Sequence, residues 1–193
     1  MWTSREGLQR MTMDSLETGG GNSQSDGDRP LFRRADLSVF QPKPDRFYDV
    51  AYSQTVRAMV QAVLEAEAPV RDDVLAQRIA RAHGWQRTGA AIRSHIERHL
   101  KTVESSTEEG GRFLWRDGQQ NEPIAYRHHA TEDDRRSVGD IALVELAALV
   151  RENPKLVEAE DPALAFSRMI GLSRLTAPSR ARLDAAIEQA QSR

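Results

Sequence analysis

Arg87, Thr88, Arg93, Ser94, Arg98 and Lys101 are the residues of this chain whose types and spacing best fit a chemical task. Guanidinium and ammonium groups neutralise phosphates, and short hydroxyls reach phosphate oxygens or base edges. Between positions 87 and 101 four cations stand against one carboxylate, Glu97, a net +3. Arg93, Ser94, Arg98 and Lys101 lie off the stripe made by Ile92, Ile96 and Leu100, which recur every four residues as the buried face of a helix does. Such a helix, with Arg87 at its start, suits the major groove of DNA. The competing reading is a solvated face in which Arg93 pairs with Glu97 one turn on, leaving a helix that docks a protein. Glu104, Glu108 and Glu109 follow closely and would repel phosphate if they shared that face.

Other chemistry is poorly supported. The chain has no cysteine, which excludes disulfides, thiolate zinc sites and a cysteine nucleophile. His128 and His129 precede Glu132, Asp133 and Asp134, but adjacent histidines without HExxH or zinc-finger spacing read as a polar linker, so no metal is expected. No GxxxxGK[ST] loop or nucleophile-elbow pattern occurs, so neither a nucleotide cofactor nor catalysis is expected. Trp85 and Trp115 offer faces on which bases stack, yet both sit where packing residues belong. Arg87 and Arg174 are candidate donors to nearby turn carbonyls, and His83, His95 and His99 would add charge below neutral pH.

The elements that must position these residues are mainly helical. Asp72 and Thr88 suit the N-caps of two short helices, with Gly84 a left-handed exit between them, which is the outline of a helix-turn-helix. A preceding helix over residues 53–65 turns Val56, Met59, Val60 and Val63 inward. Downstream, Thr102-Val103 and residues 112–115 flank the polar ESSTEEGG and predict a hairpin, with Pro123-Ile124-Ala125-Tyr126 as a further short strand. Three helices followed by a hairpin predict a winged helix-turn-helix over residues 53–127.

Around that unit, residues 1–30 are polar and rich in Gly and Ser, a composition expected to be disordered, with at most a transient turn at Leu8, Met11, Met13 and Leu16. Residues 31–52 read as an extended arm carrying Leu37, Val39, Phe40, Phe47 and Tyr48, and residues 128–136 as a linker. From 137 to 193 a second, wingless set of three helices is expected: a capping box at Ser137 to Asp140, Asp161-Pro162 opening the next helix, Gly171 ending it, and Thr176 capping the last. Its last two helices repeat the first set. GLSRLTAPSRARLDAAI from Gly171 aligns with GWQRTGAAIRSHIERHL from Gly84, matching Arg93 with Arg180, Ile96 with Leu183 and Leu100 with Ile187, while the leading helices align after one residue of slippage.

EAPVRDDVLAQRIARAHGWQRTGAAIR, GRFLW and RMIGLSRL together resemble the uncharacterised domain at the C-terminal end of large bacterial superfamily-one helicase-like ATPases. The resemblance covers roughly residues 40–190. It implies the setting of a nucleic-acid-processing machine, without the motor and without any catalytic residue, since that domain is itself of unknown function. The expectation is therefore a non-catalytic DNA-binding accessory module, or a docking module for a helicase-like or other protein partner. The overall charge of −2 excludes a wholly basic coat protein, and the charged N-terminus and the lack of an apolar run of about 18 residues argue against a signal peptide or membrane span. A cytoplasmic protein is expected.

Overall fold

The computed structural model describes residues 29–192. Most of the segment 1–30, with the turn considered at Leu8 to Leu16, lies outside the described residues. The described chain is mainly helical, with six α-helices and two small sheets. No helix among the described residues is long and apolar enough to cross a membrane.

The arm begins with β1 (Leu31–Phe32) and continues through single turns at Ser38–Phe40, Pro44–Arg46 and Val50–Tyr52. Its prolines and short apolar spacings preclude a long helix but still bury Leu37, Phe47 and Tyr52. Val39 and Tyr48, expected to pack, are largely exposed. α1 (Ser53–Glu67) buries Val56, Met59, Val60 and Val63 as the periodicity requires. After β2 (Val70–Arg71) come α2 (Asp72–Ala82) and α3 (Ala90–Leu100), which bury Leu75 and Ile79, and Ile96 and Leu100, in the same core.

The hairpin differs from expectation. β3 (Ser105–Glu108) runs through the polar stretch assigned to the loop and pairs antiparallel with β4 (Gly111–Leu114), leaving a two-residue turn at Glu109-Gly110 where Gly110 has φ 111°. β3 is an edge strand, so serines and threonine with alternating exposure satisfy it without an apolar run. The third strand of that sheet is β2, giving the order β2-β4-β3, whereas residues 123–126 form no strand. The expected linker is also structured: β5 (His128–His129) pairs in parallel with β1.

The second half contains α4 (Leu143–Glu152), α5 (Pro162–Met169) and α6 (Ala177–Gln191) around a core of Leu146, Leu149, Val150, Phe166, Leu183 and Ile187. Asp161 caps α5 by accepting from the Leu164 N–H at 3.0 Å, and Thr176 caps α6 by accepting from that of Ser179 at 3.3 Å. Ser137 to Asp140 closes only a single turn, with Ser137 Oγ donating to Asp140 at 2.6 Å, and α4 starts after two further extended residues. Its first N–H group, that of Leu143, donates instead to Glu108 from the hairpin at 3.1 and 3.2 Å.

The two helical sets correspond in backbone detail. Gly84 has φ 82° and Gly171 φ 71°. In each turn the glycine N–H bonds back three residues and the next N–H bonds back five, Trp85 to Ala80 and Leu172 to Ser167. That pattern ends a helix through a left-handed residue. α3 and α6 start at the spacing that relates the two glycines, and Ile96 and Leu183 are both buried. Buried Met59 and Val63 match buried Leu146 and Val150 at the same spacing, so the slippage expected between leading helices is not needed.

Two arginine networks join the halves. Arg182, 8% exposed, donates to the carbonyls of Val138, Ile141 and Glu109 and to the Glu108 carboxylate at 2.7 Å, and lies 5.3 Å from the centre of the Phe113 ring. Glu145, fully buried, is held by Arg127 at 3.1 Å and by Arg136 at 2.5 and 2.9 Å, and both guanidinium groups lie over Phe32. Burial pushes the Glu145 carboxyl up, but the hydrogen bonds and charges of Arg136 and Arg127 outweigh it and hold it below the usual carboxylate range.

Candidate nucleic-acid interface

The α2–turn–α3 backbone presents one face of α3 to solvent. Ile96 and Leu100 fix which side of the helix is buried, and Ile92 packs at the core margin. Ser94, Arg98 and Lys101 consequently lie on the open side, all exposed, with Arg93 exposed on the flank nearer β4. An 11-residue helix is roughly 16 Å long, so the row from Arg93 to Lys101 spans several phosphate spacings of a nucleic acid.

Thr88 is half-buried and does not cap α3; Gly89 occupies the N-cap in extended conformation with no side-chain cap. The chain needs an extended residue there, and Gly89 supplies it one position later than Thr88 would. Similarly Asp72 is the first residue of α2 rather than its cap, its carboxylate accepting from the Asp73 N–H at 2.7 Å. Arg87 is exposed in the turn, and neither its guanidinium nor that of Arg174 bonds a turn carbonyl. The Gly171 carbonyl is instead held by Arg135.

Charge is distributed differently from the sequence expectation. Arg93 does not pair with Glu97. Arg112 reaches from β4 to Glu97 at 2.6 Å and to Asp72 at 3.0 Å, and these carboxylates, Glu97 foremost, raise its pKa. The only acid on α3 is thereby neutralised from the sheet, while Arg87, Arg93 and Lys101 have no ion pair among the described residues. Two of the three hairpin acids are also occupied. Glu108 faces Arg182 and the start of α4, and Glu104 accepts from the Gly118 N–H at 3.4 Å. The hairpin tip turns towards the C-terminal half, where Arg182 holds the Glu108 carboxylate and the Glu109 carbonyl, while the Glu109 carboxylate stays exposed without an ion pair among the described residues.

On the other flank of α3, Arg98 donates to His95 Nδ1, and His95 lies under the arm rings of Phe47 and Tyr48 at 4.7 and 5.2 Å. Burial, followed by the charge of Arg98, lowers the His95 pKa; burial, Arg57 and Arg98 lower that of His99. Trp85 packs edge-on against Phe47 at 4.9 Å and stacks on His83, and Trp115 is buried with its indole N–H donating to Ser106. Both tryptophans therefore pack. Tyr48 and Arg112 were not singled out for this surface; sequence spacing places neither of them beside α3, because the arm and the sheet reach it only through the tertiary fold.

Residues 45–94 match the family described as "Protein of unknown function (DUF3320)". The match takes in Phe47, Tyr48, α2, the turn after it and the start of α3, including Arg87, Thr88, Arg93 and Ser94, but stops before Arg98 and Lys101. Comparison with curated proteins and with solved structures gives no match. The described residues contain no grouping of three or more His, Cys, Asp or Glu side chains suited to hold a metal ion.

Proposed function

We propose that the chain is a non-catalytic nucleic-acid-binding module, most suited to DNA, that uses α3 as the recognition helix of a winged helix-turn-helix. The observation that carries this reading is the open cationic side of α3: Arg93, Arg98 and Lys101 are exposed, and Arg112 has already neutralised the one acid on the helix. The order of elements supports it, because three helices with a strand between the first two, followed by a hairpin closing the sheet β2-β4-β3, is an arrangement that leaves a third helix free to enter a groove. The hairpin acts here as a brace to the second half rather than as a phosphate-contacting wing.

The resemblance to the tails of helicase-like ATPases supplies the setting: an accessory part of cytoplasmic nucleic-acid-processing machinery, with the motor elsewhere. The absence of a phosphate-cradling GxxxxGK[ST] motif in the sequence supports a role without nucleotide hydrolysis. A docking module for a protein partner is the second reading, favoured by Val39 and Val50, 68% and 93% exposed on the arm.

Affinity measured against salt separates these readings. Three phosphates neutralised by Arg93, Arg98 and Lys101 give a log-log slope of about −2.7 from this helix, a loss of roughly 40-fold between 50 and 200 mM salt. R93Q/R98Q/K101Q should flatten the slope by that amount and leave the Ile96 and Leu100 core folded. A folded triple variant with parental affinity and slope would remove α3 from the interface.

A further inference from the structure

The arm adds an aromatic edge to the cationic side of α3. Phe47, fully buried, anchors the turn by meeting Trp85 and His83 edge-on at 4.9 Å and the tilted His95 ring at 4.7 Å. That anchor fixes the next residue, Tyr48, whose ring meets Phe47 at 5.1 Å and His95 at 5.2 Å yet stays 54% exposed. His95 in turn meets His99 at 5.5 Å. Three rings thus run from the arm onto α3, and Arg98 contacts the middle one.

Two of the acids near this edge are already paired. Asp49, beside Tyr48, pairs with Arg46 at 3.2 Å, and Glu97 is held by Arg112 on the far flank of α3. The Tyr48 hydroxyl bonds to no described residue. An exposed ring held rigid by a buried one, with the Arg98 guanidinium alongside, fits a ligand that presents a flat π face next to an anionic backbone.

We infer that Tyr48, with His99 and Arg98, forms a subsite for an unpaired nucleobase and its phosphate, which makes single-stranded nucleic acid the preferred ligand. This inference rests on the α3 reading above and refines it. A base inside a duplex already spends both faces on its neighbours, so Tyr48 adds affinity only where a base is unstacked. Arg98 and Lys101 serve single strand and duplex alike through phosphate.

The test uses the 193-residue chain and three labelled ligands of about 12 nucleotides: a thymidine strand, the same strand with abasic sugars at its centre, and the matching duplex. The parent should bind the thymidine strand about tenfold more tightly than the abasic one, the low-to-middle range for one base stacked on one ring. Tyr48→Ala should erase that difference and leave duplex binding within about twofold, while Tyr48→Phe should keep it, because the ring face and not the hydroxyl makes the contact. Circular dichroism melts of all three proteins should coincide, since Tyr48 is mostly exposed.

Equal binding of thymidine and abasic strands by the parent would overturn the subsite, as would equal losses by Tyr48→Ala on all three ligands. If R93Q/R98Q/K101Q still abolishes the salt-dependent part in those cases, the α3 reading stands alone. A parent that binds none of the ligands defeats both and leaves the exposed Tyr48 ring as a protein-docking contact.

Discussion

Arg93 and Arg180 occupy equivalent places in two equivalent helices, three residues past the start of α3 and of α6, and they are used in opposite ways. Arg180 grips Asp161, the cap of α5, through two bonds of 2.9 and 2.8 Å; the corresponding position before α3 is Val74, so Arg93 has no such partner and remains open. Two residues further on the contrast repeats. Arg182 is buried between the halves, where His95 at the matching place packs under arm rings. One backbone plan therefore carries two charge arrangements: α6 pairs Arg180 and Arg182 within the molecule, and α3 leaves Arg93 exposed without an ion pair among the described residues. What distinguishes the open helix from the bracing one here is the supply of acceptors around it.

The sharpest way to break this comparison is at Arg182. Arg182→Met keeps a long apolar stem but leaves the largely buried Glu108 carboxylate without its guanidinium, and removing one member of such a pair costs about 3–5 kcal/mol. His95→Leu at the equivalent place breaks no ion pair and removes an imidazole Nε2 that is buried without a partner among the described residues, so its cost should stay below about 1 kcal/mol. Urea unfolding of both variants measures the difference. Equal losses would mean that α3 is braced as firmly as α6.

The two glycine turns come next in size. At Gly84 an added Cβ meets nothing within 4 Å, so Gly84→Val should cost only the strain of a β-branched residue at positive φ, about 1–3 kcal/mol. At Gly171 the Cβ would also lie 3.2 Å from the Arg135 guanidinium that binds the Gly171 carbonyl, so Gly171→Val should cost more. Thermal melts that move by similar amounts would show that Arg135 adjusts freely. A melt unchanged by either substitution would contradict the left-handed turn at that site.

Much of this plan was legible in the sequence, because apolar periodicity is a local property, as are the caps at Asp161 and Thr176, whereas Asp72 and Thr88 fall one residue off the caps expected of them. The four-residue recurrence of Ile92, Ile96 and Leu100 marks the buried side of α3, and the two glycines mark their turns without reference to anything distant. The hairpin was half legible: Phe113 and Leu114 announce β4, but an edge strand as polar as Ser105–Glu108 has no alternation of apolar residues to reveal it. Least legible were contacts set by tertiary approach. Nothing near Arg93 in sequence shows that Glu97 will be taken by Arg112, or that Glu108 will cap α4 from 35 residues away. The candidate cations were readable as a group, and their freedom from partners was not.

The smallest expected effect is a difference in the pH at which each half weakens. His83 is buried, donates from Nδ1 to the Ile79 carbonyl at 2.8 Å, and has Nε2 3.1 Å from the Tyr52 hydroxyl, which itself accepts from the Lys43 N–H. Burial lowers its pKa against the opposing pull of the Ile79 carbonyl, and burial with nearby cations lowers those of His95 and His99. All three folded values lie below the unfolded one of 6.5, so the unfolded chain takes up protons first and stability falls as pH drops through that value. In the second half, hydrogen bonds from Arg180 and the Leu164 N–H lower the Asp161 pKa from 3.8 to about 2, so its contribution is intact above pH 3.8 and is lost progressively as pH falls from there through about 2. Urea midpoints should therefore decline between about pH 7.5 and 5.5, less steeply in His83→Gln, while Asp161→Asn should leave that decline unchanged and reduce the further loss below about pH 4. A His83→Gln protein that declines as steeply as the parent over the upper range would remove His83 from the titrating groups and leave the decline to His95, His99 or groups elsewhere.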